Sequence, residues 1–254
     1  MELKRFYQQL AIPDRCYIGK RVYKKLIFNN VHLSKSEQQR FSEQVDHIEL
    51  LYNLTPDTLN IPSYSDSQRE YLEIEVLQIN VKGESVTDRQ RGKLADIIQR
   101  AIPYPLLLIF VCDHQIAIHM AYKRINLADS SRLTLERSFD TGWLNLKQPD
   151  TCQQDFLADF ALTHCRFHNL YQCYQDLVQR VIALNCAQFT GQYRNTPLVD
   201  GDRQEQLDQL HLHQQTLAQL RTDLKKETRF NHKVELNMQI KKLDQQINVL
   251  KTQL

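Results

Sequence analysis

The sequence predicts an α+β protein: a small mixed sheet of about four strands covered by helices, followed by a C-terminal coiled coil or helical hairpin. Three observations predict it. Apolar residues recur at three- and four-residue steps in some stretches and alternate with polar residues in others. Glycine and proline are scarce, at 6 and 7 in 254 residues, so ordered elements must fill most of the chain. Beyond residue 202 neither occurs, and a leucine and isoleucine stripe runs to the last residue.

The first residues read as a short helix broken by Pro13. Arg15, Lys20, Arg21, Lys24 and Lys25 then cluster with Tyr17 and Tyr23 and no acid, the densest basic patch in the chain. Ser34 and Glu37 have the spacing of a capping box, and Phe41, Val45, Ile48 and Leu51 step by three and four. One helix is therefore expected, ending before Thr55-Pro56, because the residue before a proline avoids helical angles.

Residues 62–67 are turn formers, and residues 71–82 read as a strand. There Leu72, Ile74 and Val76 alternate with Glu73 and Glu75, but the alternation slips at Leu77 and continues out of phase through Ile79 and Val81. The slip implies a bulge or a strand buried on both faces near its centre. Thr87 or Asp88 caps a second helix, whose Leu94, Ile97, Ile98 and Ala101 form a stripe ending before Pro103. Two strand-like runs, 105–112 and 115–123, flank Asp113-His114 and make a hairpin. A third, Leu133 to Phe139, carries Arg137 and so belongs at the sheet's edge. From Phe156 to Gln188 the helical period returns, giving one or two helices to cover the sheet.

These elements define an α+β domain over 1–189, a linker over 190–202 and an assembly segment over 203–254 that begins near Gly201. In the last, Leu210, His213, Leu217, Leu220 and Leu224 form one stripe, and Leu236, Ile240, Leu243, Ile247, Leu250 and Leu254 a stronger one. The two are out of register, so the chain is either one helix with a phase defect or a hairpin turning near Phe230-Asn231. Nearly equal arms favour the hairpin, and the second stripe is expected to be an interface to a second copy or a partner helix.

Composition excludes more than it proposes. With 32 basic and 30 acidic side chains the formal charge is +2, so no global field draws the protein onto nucleic acid or lipid. The six cysteines show no close-paired motif, the first residues are too polar for a secretory signal, and the apolar run 105–112 is too short to span a bilayer. Reduced thiols in a cytoplasmic protein are expected. No Walker loop, dinucleotide glycine motif or nucleophile elbow is present.

Four chemical readings can be drawn. Asp57, Glu73, Glu75 and Lys82 invite comparison with metal-dependent nucleases of the PD-(D/E)XK type, which would use Mg2+. The acid two residues before the lysine is missing, because Asn80 stands there, and Glu73 and Glu75 also look like the wet face of a strand. His164 and His168 with Cys165 and Cys173 sketch a zinc site without close cysteine pairs, so no metal and no cofactor is assigned. The patch of Lys20, Arg21, Lys24 and Lys25, with Arg89, Arg91, Lys93 and Arg100 on the second helix, suits phosphates while Tyr17 or Tyr23 stacks on a base; most such patches are solvated faces. Trp143 reads as a core or interface anchor.

The stretches HIELLYNLTPDTLNIP, YLEIEVLQINVK, AIPYPLLLIF, IAIHMAYKR and ETRFNHKVELN together resemble a bacterial domain of unknown function of the DUF 4391 type, over nearly the whole chain. The resemblance implies a defence-associated protein encoded beside helicases and DNA methyltransferases in restriction-like, anti-phage loci, and it implies no catalytic residues. Among its signature positions, Tyr122, Lys123 and Arg124 at a strand end suit phosphate binding. The expected function is a non-catalytic adaptor of such a system, binding DNA or RNA or a helicase or methyltransferase and assembling through its C-terminal helices. A divergent metal-dependent nuclease is the alternative.

Overall fold

In the computed structural model, residues 2–82, 86–126, 133–196 and 203–254 are described. Helix α1 (Glu2–Gln9) leads through a 3-10 turn, Asp14–Cys16, into strand β1 (Tyr17–Val22) and helices α2 (Lys24–Asn30) and α3 (Lys35–Gln44). The Ser34–Glu37 capping box is formed, with Ser34 N donating to Glu37 at 2.8 Å. Strand β2 (Val45–Leu54) follows α3 without a break, and Pro56 opens the single turn α4 (Pro56–Leu59).

The one long helix expected over residues 35–54 is thus a helix followed by a strand, for a reason visible in the pairing. The register of β2 against its neighbour shifts between Val45 and His47 and again between Leu50 and Tyr52. Each irregularity inserts a residue, so the buried positions Val45, Ile48, Leu51 and Leu54 fall three apart and imitate a helix.

A small ladder, β3 (Tyr64–Ser65) with β4 (Glu70–Tyr71), precedes β5 (Ile74–Val81), and helix α5 (Asp88–Ala101) starts at a Thr87–Gln90 capping box. Then come β6 (Leu106–Cys112), β7 (Gln115–Ile125), β8 (Leu133–Asp140) and β9 (Leu144–Asn145), and helices α6 (Thr151–Asp159) and α7 (Leu170–Thr190). The main sheet runs β1-β2-β5-β6-β7-β8 with β9 beside β7, seven strands where about four were expected. Only β5 and β6 are parallel, joined by α5, and the other neighbours are antiparallel. The β6–β7 hairpin turns at Asp113, whose φ is 49°, and β8 with Arg137 is an outer strand as its charge predicts.

Strand β5 is buried on both faces at its centre: Val76 and Leu77 point to opposite sides and neither is exposed. On the Leu77 side, Ile79, Leu106, Leu108 and Phe110 pack with Leu94 and Ile98 of α5, Phe41 of α3 and Ile27 of α2. On the other, α1 reaches the sheet with a Tyr7 hydroxyl that donates to Gln78 Oε1 at 2.7 Å, and α7 with the buried Tyr174, whose hydroxyl bonds Leu106 and Ala121 main chain.

Residues divide into two compact units, Met1–Val181 and Ile182–Leu254. In the second, α8 (Arg203–Lys226) and α9 (Phe230–Gln253) are joined by residues 227–229 and form a helical hairpin. Leu210, Leu217 and Ile247 make its buried centre, with Phe189, Ile240, Leu243, Leu250 and Leu254 packed around them. Residues 197–202, including Gly201 of the expected boundary, lie outside the described residues. Among those described, no helix is long and apolar enough to cross a membrane.

Candidate functional site

Among the described residues, strand β1 is a sheet edge, paired on one side by β2. Its sequence YIGKRV has little to bury, and five of its six residues are exposed. Gly19, at φ +61°, sits at an irregularity in the pairing and lets the Tyr17 ring fold back over the strand; a Cβ there would meet Tyr17 Oη at 2.5 Å. The Tyr17 ring lies edge-on to Tyr52 with 5.7 Å between centroids, yet it is 59% exposed, and Tyr23 is 71% exposed. Ile18 and Leu26 are exposed beside them.

Among these rings stand the cations. Lys20, Arg21 and Lys25 are exposed, and among the described residues none of the three is held in an ion pair. Arg21 pairs in register with Glu49 of β2. Lys24 is half-buried and donates to Ser42 O, at 3.3 Å, and to Val45 O. Lys82, just past β5, donates to the same Ser42 carbonyl at 3.2 Å. Both lysines thus sit at the C-terminal end of α3, where the helix dipole favours positive charge. Partial desolvation lowers the Lys24 pKa, with Lys82 and Arg21 adding to the effect and Asp46 opposing it. Lys24, Lys82 and Arg21 thus lie close to one another and to Asp46, next to an edge strand that exposes Lys20 and the Tyr17 ring. Such an edge is guarded against strand pairing and also suits a phosphate backbone with unstacked bases.

At the other end of β5 a different cluster forms. Asn53 pairs in register with Glu75 and donates through Nδ2 to Glu73 Oε2 at 2.6 Å. Burial, then Glu73, push Glu75 up to about 7, and Glu73 raises the Tyr104 phenol. Lys123 reaches in from β7 and is buried, its Nζ donating to Ile102 O at 2.7 Å and to Tyr104 O, just past the end of α5. Burial pulls Lys123 down to about 7 and Glu75 opposes the fall. The cluster has two carboxylates, a phenol and a weakly basic amine, so it can hold and exchange a proton near neutrality.

Of the nuclease candidates, Glu73 and Glu75 come together and Lys82 stands apart. Lys82 is seven residues from Glu75, roughly 23 Å at about 3.3 Å per strand residue. Asp57 is exposed on α4. The lysine beside Glu75 is Lys123, expected instead at a phosphate surface; its ammonium is buried against carbonyls, while Arg124 is exposed. Arg91 is likewise a core residue, 1% exposed, bonded to Asp88 and Asp140 and 4.9 Å from the Trp143 ring centre. Trp143 anchors through Nε1 to Val86 O at 3.0 Å. Arg100 pairs with Asp96. Cys165 and Cys173 do meet, their contact and burial raising the Cys173 thiol, but His164 turns to Asp159 instead. Among the described residues no three His, Cys, Asp or Glu side chains are grouped to hold a metal.

A mixed sheet whose exposed edge strand carries cations and a phenol ring, together with a C-terminal helical hairpin, defines an α+β protein. The chain belongs to the family described as Domain of unknown function (DUF4391), whose model matches residues 10–247. No curated protein and no solved structure matches it.

Proposed function

We propose that the protein is a non-catalytic adaptor of a bacterial DNA-defence system, which binds single-stranded nucleic acid along β1 and assembles with a partner, such as a helicase or methyltransferase, through its C-terminal helices. One observation carries the nucleic-acid half: Lys24 and Lys82 meet at Ser42 O within electrostatic reach of Arg21, beside an edge strand that exposes Tyr17 and Lys20 and is followed by the exposed Tyr23 and Lys25. Cations alone would serve any polyanion, but exposed phenol rings add stacking that only unpaired bases can use. The defence setting rests on the family resemblance. Fluorescence anisotropy with a labelled single strand and its duplex tests the reading. The single strand should bind more tightly; replacing Tyr17 and Tyr23 by alanine should abolish the difference, and replacing Lys20, Arg21, Lys24 and Lys25 by alanine should weaken both strands' binding, whereas absent or unchanged binding would contradict the reading.

The alternative, a metal-dependent nuclease, draws support from the nearness of the Glu73 and Glu75 carboxylates, which repel each other. Cleavage with magnesium or manganese that Glu75→Ala abolishes would favour it over the adaptor.

A further inference from the structure

The stripe expected to face a partner is already used inside the hairpin: Ile240, Leu243, Ile247, Leu250 and Leu254 pack on Leu210 and Leu217. The unpartnered apolar residues of α9 lie on its opposite side. At 3.6 residues per turn, Phe230, Val234, Met238 and Val249 fall on one face, about 160° round from Leu236 and Ile240. They are 77%, 43%, 68% and 55% exposed. Phe230, Val234 and Met238 follow one another at four-residue steps as one contiguous apolar row, and exposed rows of this kind mark contact sites for other proteins.

Charge identifies what covers this one. The same face carries Asn231, Lys241, Lys242, Gln245, Asn248 and Thr252 and no acid. Glu235 and Asp244 stand at its borders, and Asp244 is taken by Arg221 at 3.4 Å. A second copy laid on this face would set Lys241 and Lys242 of each chain against a lysine-bearing surface with Glu235 alone within reach at its border. We propose that the outer face of α9 docks an acidic amphipathic helix of another protein. Apolar side chains of the partner cover Phe230, Val234 and Met238, and its carboxylates meet Lys241 and Lys242. The inference rests on the assembly half of the adaptor reading and names both the surface and the chemistry of the partner.

The test uses the full chain and a synthetic helical peptide with leucines at three- and four-residue steps flanked by glutamates. A control peptide carries lysines in place of the glutamates. Binding by the acidic peptide alone is expected, weakening about tenfold or more as salt screens the contact. Val234→Asp with Met238→Asp should abolish it, and Lys241→Gln with Lys242→Gln should weaken it, with circular dichroism showing that both variants keep their helix. Equal binding of the two peptides, binding that survives the Val234 and Met238 changes, or no binding would overturn the proposal. So would sedimentation showing an oligomer that Met238→Asp dissociates, since the occupant would then be a second copy. Oligonucleotide binding by the same variants is expected to be unchanged, which separates failure here from failure of the nucleic-acid reading.

Discussion

Lys24 and Lys82, 58 positions apart in the chain, donate to the same backbone oxygen, that of Ser42, at 3.3 and 3.2 Å. The carbonyl end of α3 holds two like charges together that water would let separate. Their meeting turns a local run of basic residues into a surface built from β1, α2 and the end of β5. Lys82 is thereby engaged at α3, at the end of β5 away from Glu75.

Arg91 provides a control for that surface, because sequence places it among the phosphate-facing cations and the fold buries it. Arg91→Ala takes the buried guanidinium from Asp140, which keeps Gly142 N–H, and from Asp88 and Trp143, so a loss of roughly 3 kcal/mol in urea unfolding is expected. At temperatures where the variant remains folded, oligonucleotide affinity should match that of the unmodified chain. A weaker affinity without loss of stability would return Arg91 to the binding surface.

Glu75 and Lys123 give stability an unusual pH dependence. Burial raises Glu75 to about 7, so its contribution is full below the ordinary glutamate range and is lost as pH rises to about 7. Burial lowers Lys123 to about 7, so its contribution is full above the ordinary lysine range and is lost as pH falls to about 7. Together they place a local minimum of stability near neutrality. Thermal melts across pH should show Glu75→Gln flattening the acid limb and Lys123→Met flattening the alkaline limb. Lys123→Met should also cost about 1–3 kcal/mol, because the carbonyls of Ile102 and Tyr104 lose their donor.

Ile247 is the most buried residue of α9, at 5% exposure. Ile247→Asp forfeits about 1.5–3 kcal/mol of apolar burial and adds the desolvation of a charge. The hairpin should unfold, seen as lost helical circular dichroism, while the unfolding transition of the sheet domain persists. Loss of both in one transition would show that the two units fold as one.

Where elements announce themselves locally, the sequence is readable. The capping box at Ser34–Glu37, the helix cap expected at Thr87 or Asp88 and found at Thr87, the Asp113-His114 turn and the β5 slip all appear in the fold. It misleads where pairing overrides local period, as in β2, whose irregularities space Val45, Ile48, Leu51 and Leu54 like a helix. The valine, isoleucine and tyrosine content of that run was the available signal. Strand β1 is missed for the opposite reason: an exposed edge of charges and one glycine has no apolar alternation to detect. Site residues suffer most, because burial of Lys123 and Arg91 and convergence of Lys24 with Lys82 depend on contacts distant in sequence. Lys123 reads as an exposed strand tip, yet strand alternation turns it to the α5 side while Arg124 faces out.

The central claim is that Lys82 joins the cations of β1 and α2 in binding the backbone of a single strand, and the slope of log affinity against log salt tests it most directly. Five phosphate contacts predict a slope of about −3.5, and Lys82→Ala should make it shallower by about 0.7. A slope that Lys82→Ala leaves unchanged, or no binding at the lowest salt, would contradict the account.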